Sequence, residues 1–132
     1  MKIQISTDYA IRILHYLDTH KGMHTATDIA DAIDITYPFF IKIANRLKKQ
    51  GLLSSVQGRN GGYMLGKLAH EISLYDVFMC VEGELQISHC IQKGVPCTQG
   101  KSRNCKLHKA WHTLQSKMIE EMSTQYIADL AS

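Results

Sequence analysis

The stretch from Cys90 to His108, C-I-Q-K-G-V-P-C-T-Q-G-K-S-R-N-C-K-L-H, puts Cys90, Cys97, Cys105 and His108 within nineteen residues. Gly94, Pro96 and Gly100 interrupt any helix between them, and few residues there can build a core. Such a segment holds one shape only with outside help. A metal ion or an iron–sulfur cluster on thiolate ligands supplies that help. The packed fold must therefore be built on either side of it.

At 132 residues and 45% hydrophobic content the chain can bury one domain's core without disulfide staples. There is no apolar run of membrane-spanning length, and M-K-I-Q-I-S-T-D-Y lacks the apolar centre of a signal peptide. A cytoplasmic location is expected, where thiols stay reduced. Three of the four cysteines crowd into one segment, which favours metal or redox chemistry over a disulfide framework.

The net charge of +3 decides little, but its distribution is informative. Lys42, Arg46, Lys48, Lys49 and Arg59 stand between positions 41 and 59 with no acidic residue among them. A patch of this kind suits phosphate contacts, and a solvated helix face is the alternative.

Ser6 and Thr7 are candidate caps for a first helix reaching about His20, with Ala10, Ile13, Leu14 and Leu17 on one face. Asp8 falls in its first turn, near the positive end of the helix dipole. Lys21-Gly22 ends that helix. Thr25 to Asp28 reads as a capping box for a short helix carrying Ile29, Ala30 and Ile33 inward. Asp34-Ile35 turns the chain. Thr36 caps a third helix with Pro38 in its first turn, Phe40, Ile43, Ala44 and Leu47 inward, and Gly51 past its end.

The short helix, tight turn and third helix make a helix-turn-helix, and the third helix is the expected recognition helix. Tyr37, Pro38, Ile41, Lys42, Asn45, Arg46 and Lys49 lie on its outward side. Leu52–Val56 and Tyr63–Leu65 read as strands joined by Gln57-Gly58-Arg59-Asn60-Gly61-Gly62, a hairpin in the position of a wing. Its glycines allow close approach to a phosphate, while Arg59 or Asn60 can reach a groove. Nucleotide binding by this glycine-rich turn is not supported. No Lys-Ser or Lys-Thr pair follows the last glycine, and no βαβ unit surrounds it.

Ser73-Leu74-Tyr75-Asp76 is a second capping box, opening a helix with Val77, Phe78 and Val81 inward; Cys80 on that helix reads as core. After Gly83 comes the cysteine segment. From about Cys105 to Leu130, Leu107, Trp111, Leu114, Met118, Met122, Tyr126 and Leu130 step by helical spacing, widened by Ile119 and Ile127. Such a helix spans roughly 35 Å. That is longer than one small domain covers, so a second copy of the same helix is the expected partner.

Several of these pieces together resemble the Rrf2 family of bacterial transcription regulators. They are S-T-D-Y-A-I-R, R-L-K-K-Q-G-L-L-S-S-V, the wing G-R-N-G-G-Y-M-L-G-K, E-I-S-L-Y-D-V and the cysteine triplet, and they cover the chain nearly end to end. The resemblance implies a mainly α fold with a small β-hairpin wing, that is, a winged helix-turn-helix with a long C-terminal dimerisation helix. It implies a homodimer on a pseudo-palindromic double-stranded operator, with no membrane. An iron–sulfur cluster, 2Fe–2S or 4Fe–4S, would tune that binding in response to nitric oxide, redox or iron–sulfur status.

The implied DNA-contacting residues are Tyr37, Pro38, Ile41, Lys42 and Arg46 of the recognition helix and Gln57, Arg59, Asn60, Gly61, Gly62 and Tyr63 of the wing. The implied cluster ligands are Cys90, Cys97 and Cys105. In the IscR-like branch the fourth ligand is a histidine three residues past the last cysteine, here His108. In the NsrR-like branch it is an aspartate of the partner's first helix, here Asp8. Two departures stand out. Six residues separate the first two cysteines and seven the last two, longer than either branch leads one to expect. Gln57 also stands where the family often has an arginine before the first wing glycine.

The resulting organisation is a DNA-binding domain over 1–82, a cluster-binding segment over 83–105 and a dimerisation helix over 106–132. Zinc on the same three cysteines and His108, or a thiol–disulfide switch, gives an alternative repressor without a cluster. A regulator sensing through a protein partner is a further alternative. Catalysis by a Cys–His pair lacks a third orienting group and leaves the winged reader without a role.

Overall fold

A computed structural model describes residues 2–92, 94 and 105–130. Helix α1 (Ile5–Thr19), α2 (Ala26–Ile33) and α3 (Tyr37–Lys49) come first. Strands β1 (Leu53–Val56) and β2 (Gly62–Leu65) follow, then α4 (Leu74–Glu82) and α5 (Lys106–Thr124). Short 3-10 turns lie at Ala69–Glu71, His89–Ile91 and Ile127–Leu130. Among the described residues, five α-helices and one two-stranded hairpin make a mainly helical winged fold, as expected.

Local chemistry explains most of the boundaries. The Thr25 hydroxyl accepts from the Asp28 N–H at 3.1 Å and the Thr36 hydroxyl from the Phe39 N–H at 3.3 Å, starting α2 and α3. Both arms of the capping box form at Ser73 and Asp76, each at 3.0 Å. Past α3, the Leu52 N–H donates to the Leu47 carbonyl and the Gly51 N–H to that of Lys48, both at 3.0 Å. Gly51 takes φ +76 there, the left-handed conformation that such a helix end needs. Asp34 does the same after α2 at φ 58, setting the tight turn between the two helices.

The start of α1 departs from expectation. Neither Ser6 nor Thr7 caps it: Gln4 is the cap residue, and its side chain makes no capping bond. The anion comes instead from the far end of α4. The Glu82 carboxylate accepts from the Gln4 N–H at 3.2 Å and from the Thr7 hydroxyl. Thr7 is buried within the helix rather than placed before it. A carboxylate beside the positive end of α1 serves the purpose of a local cap, and no short-range pattern announces it.

The core is continuous. Ala10, Ile13, Leu14 and Leu17 of α1 meet Ile29 and Ala30 of α2 and Phe40, Ile43, Ala44 and Leu47 of α3. Leu52, Leu53, Ile72, Val77 and Val81 close it. The hairpin pairs Leu53 with Leu65 through to Val56 with Gly62. It is tied to the body by a bridge between His24 and Tyr63, whose N–H groups donate to each other's carbonyls at 3.1 and 2.7 Å.

The last helix also differs from expectation. It stops at Thr124, so α5 has 19 residues and a length of about 28 Å. The chain then extends, and Tyr126 bridges Ser73. The Leu74 N–H donates to the Gln125 carbonyl at 2.8 Å, and the Ile127 N–H to that of Ile72 at 2.9 Å. Ile127 is thereby fully buried in the core shared by α1 to α4. The helical spacing of Tyr126, Ile127 and Leu130 survives only as a 3-10 turn, because extended backbone is what delivers Ile127 to the core.

Candidate DNA interface and cysteine site

The outward side of α3 is open. Tyr37, Pro38, Lys42, Asn45, Arg46 and Lys49 are exposed, whereas Ile41 is half-buried against the core. None of Lys42, Lys48, Lys49 and Arg59 is ion-paired to a carboxylate among the described residues. Unpaired cations on the exposed residues of a recognition-type helix and on the adjoining hairpin turn are what a phosphate backbone attracts.

The wing tip carries Gln57, Gly58, Arg59 and Asn60, all exposed. Gly61 and Gly62 are needed for shape. A Cβ on Gly61 would stand 2.0 Å from the Val56 carbonyl oxygen, and one on Gly62 would stand 2.6 Å from that of His24. Tyr63 is a wing anchor: half-buried, bridged to His24, and edge-on to the Phe40 ring at 5.2 Å. Burial pushes its phenol up, and the nearby Tyr37 adds to this.

Arg46 does not point freely outward. Its Nη1 donates to the Val81 carbonyl at 2.8 Å, across a notch of about 80 Å³ lined by Gln4, Ser6, Lys42, Ile43, Arg46 and Val81. Cys80 returns a bond, its Sγ donating to the Arg46 carbonyl at 3.1 Å. Cys80 is half-buried on the core's margin, and burial pushes its thiol up. These contacts of Arg46 were not legible in the sequence, because α4 lies 35 positions further on.

Cys90 lies in the His89–Ile91 turn and Cys105 is the residue before α5. His108 sits in the first turn of α5, half-buried, with Nδ1 at 3.8 Å from the Cys90 sulfur. Two ligands of one tetrahedral centre, at about 2.3 Å for sulfur and 2.0 Å for nitrogen, stand about 3.5 Å apart. Cys90 and His108 therefore fit a shared metal centre, with Cys105 one turn before His108. Cys97 lies outside the described residues. Among the described residues, no three His, Cys, Asp or Glu side chains gather into a metal-sized group. Asp8 is exposed on the first turn of α1.

Helix α5 buries none of its own residues. Leu107 and Leu114 are 58% and 52% exposed. Besides His108, Gln115 ties α5 to the chain, its Oε1 accepting from the Ile87 N–H at 3.0 Å. No helix among the described residues is long and apolar enough to cross a membrane.

A family model described as Rrf2, iron-dependent transcriptional regulator, matches residues 3–132. The HTH-type transcriptional regulator IscR of Photorhabdus laumondii is 31% identical over 116 residues, covering 88% of this chain and 69% of that one. The HTH-type transcriptional regulator NsrR of Shouchella clausii is 28% identical over 134 residues, covering 98% and 88%. Among solved structures, CymR, the global cysteine regulator of B. subtilis, superposes with a TM-score of 0.78. It shares 22% identity, over 99% of this chain and 96% of that one. At that identity the likeness speaks for the fold.

Proposed function

The chain belongs to the Rrf2 family of iron-dependent transcriptional regulators, and we propose that it is a homodimer whose hold on a pseudo-palindromic DNA operator is set by an iron–sulfur cluster. Membership makes it a DNA-binding transcription regulator and not an enzyme. The cluster, the dimer and the signal are our reading. It places the protein in the cytoplasm, where duplex DNA and reduced thiols occur together.

The observation that carries the reading is the approach of Cys90 to His108 at the base of α5. Cys90, Cys97 and Cys105 would hold the cluster, and His108 completes the set within one chain. In the alternative set, Asp8 from α1 of a partner subunit takes the place of His108. A bound cluster with three thiolates and one weaker ligand supplies an iron open to attack by nitric oxide or oxygen, or to loss when iron is scarce.

The chain's own residues do the reading. Lys42 of α3 and Arg59 of the wing bind phosphate or groove edges, Tyr37, Pro38 and Ile41 shape the contact surface, and Tyr63 fixes the wing. The exposed Leu107 and Leu114 of α5 supply the dimer seam. Changing operator occupancy a hundredfold requires the loaded and empty states to differ by only about 2.7 kcal/mol.

The test is the visible and Mössbauer spectrum, with metal analysis, of protein purified without oxygen. The expected result is a coloured protein with iron and sulfide, and loss of colour in Cys97→Ala. A colourless protein with stoichiometric zinc would replace the cluster by zinc on the same ligands. A colourless, metal-free protein would leave the thiol switch or a partner-sensing repressor.

A further inference from the structure

At the end of α4, three consecutive residues hold two other helices: Cys80 and Val81 hold Arg46 of α3, and Glu82 holds the start of α1. The Cys80 thiol donates to the Arg46 carbonyl at 3.1 Å. The Val81 carbonyl accepts from the Arg46 guanidinium at 2.8 Å. The Glu82 carboxylate accepts from the Gln4 N–H at 3.2 Å and from the Thr7 hydroxyl. Gly83 then turns the chain at φ +87 toward the segment that carries Cys90.

Helix electrostatics make both contacts favourable. Val81 presents one of the last carbonyls of α4, at the negative end of its dipole, where a cation is stabilised. Glu82 meets α1 at its positive end, where an anion is stabilised. Both contacts are partly buried, so salt screens them less than exposed pairs. The recognition helix is thus fastened to α4 through Arg46. The first turn of α1, which carries Asp8, is fastened to the same end of α4 through Glu82.

We propose that Arg46 and Glu82 are positioning residues that pass the state of the cysteine segment to the recognition helix. A change of order between Gly83 and Cys90 pulls on the last turn of α4; Glu82 keeps that turn anchored on α1 so that it moves without fraying, and the Val81–Arg46 bond hands the displacement to α3. Arg46 acts by setting where α3 sits rather than by touching DNA. The inference rests on the reading of the cysteine segment as a sensor.

The test is amide hydrogen exchange on the full chain without oxygen, before and after reconstitution with ferrous iron and sulfide. It needs no DNA, so any direct contact of Arg46 with phosphate cannot imitate the result. In the parent protein, loading should slow exchange across residues 83–92 and also across Tyr37–Lys49, by about 5-fold or more. In Arg46→Met and in Glu82→Ala the response of 83–92 should remain, while that of Tyr37–Lys49 falls below about 2-fold; Arg46→Lys, which keeps a donor, should restore part of it. The two substitutions lie at opposite ends of the clamp, so poor folding of one leaves the other as the test.

An undiminished response of Tyr37–Lys49 in both variants overturns the proposal. So does a parent protein in which 83–92 responds and Tyr37–Lys49 does not, a result that leaves the sensor reading standing. No response in 83–92 of the parent brings down the sensor reading and this inference together.

Discussion

The sulfur of Cys90 stands 3.8 Å from Nδ1 of His108, although the two residues lie eighteen positions apart in the chain. The 3-10 turn at His89–Ile91 and the first turn of α5 converge to make that approach. Asp8 by contrast is exposed on α1. In protein reconstituted without oxygen, His108→Ala should therefore lower iron content and shift the visible absorbance, by about 10-fold or more in metal affinity. Asp8→Ala should keep the parent spectrum. A normal spectrum in His108→Ala together with a changed one in Asp8→Ala would move the fourth ligand to the partner's α1.

The basic side of α3 and the wing tip should act through phosphate. Lys42→Ala and Arg59→Ala are each expected to weaken binding to a duplex selected from random sequence. If each removes one phosphate contact, the slope of log affinity against log salt falls by about one. Arg59→Ala should relax sequence preference as well if it reaches base edges, whereas Lys42→Ala should weaken all duplexes alike. Fluorescence anisotropy at several salt concentrations reads both effects.

Ile127 tests how the C-terminal tail belongs to the reader. It is fully buried in the common core, delivered by the Ile127 N–H bond to the Ile72 carbonyl. Ile127→Ala should cost about 2–5 kcal/mol in urea unfolding, the range for truncating a buried isoleucine. The loss should appear as a lower midpoint of one transition, because tail and reader share that core. An unchanged midpoint would mean that the tail is dispensable.

Much of this fold was legible from short-range chemistry. Thr25, Thr36 and Ser73 start helices where their hydroxyls can serve the next turn, and Gly51 ends one where φ must be positive. The contacts that were not legible are long-range. Glu82 replaces the expected Ser6 or Thr7 cap from 75 positions away or more, and Arg46 turns inward to an α4 carbonyl although its helical position marks it as outward. Helical spacing also extends α5 through Tyr126 and Leu130, since periodicity counts apolar residues and is blind to the Ser73–Tyr126 pairing that breaks the helix. At the cysteine site, residue types announce ligands, but only the fold brings Cys90 to His108.

The exposed stripe of α5 predicts self-association. Leu114 is 52% exposed beside Leu107 at 58%, and neither is needed by the core of its own chain. Leu114→Glu should therefore leave the far-ultraviolet circular dichroism intact while placing an unpaired carboxylate in the seam. Dimerisation should weaken roughly 100-fold or more, about 2.7 kcal/mol, well within the cost of burying such a charge. Sedimentation velocity across a concentration series reads the shift, and a variant as dimeric as the parent would place the seam elsewhere.

Cys80 should behave as a quiet thiol. Burial pushes its pKa up, and the nearby Arg46 only partly offsets that. Less thiolate is then present at neutral pH, and the thiolate is the reactive form. Alkylation of Cys80 in the folded chain should run several-fold slower than in the urea-unfolded chain. The sign of the linked stability follows from the same shift. A thiol that ionises less readily when folded contributes fully below its ordinary range of about 8.5, and the contribution is lost as pH rises above that range. Cys80→Ser should flatten that alkaline loss of stability. Peptide mapping after timed alkylation, paired with urea midpoints from pH 7 to 10, checks both outcomes, and equal alkylation rates in folded and unfolded chains would refute the assignment.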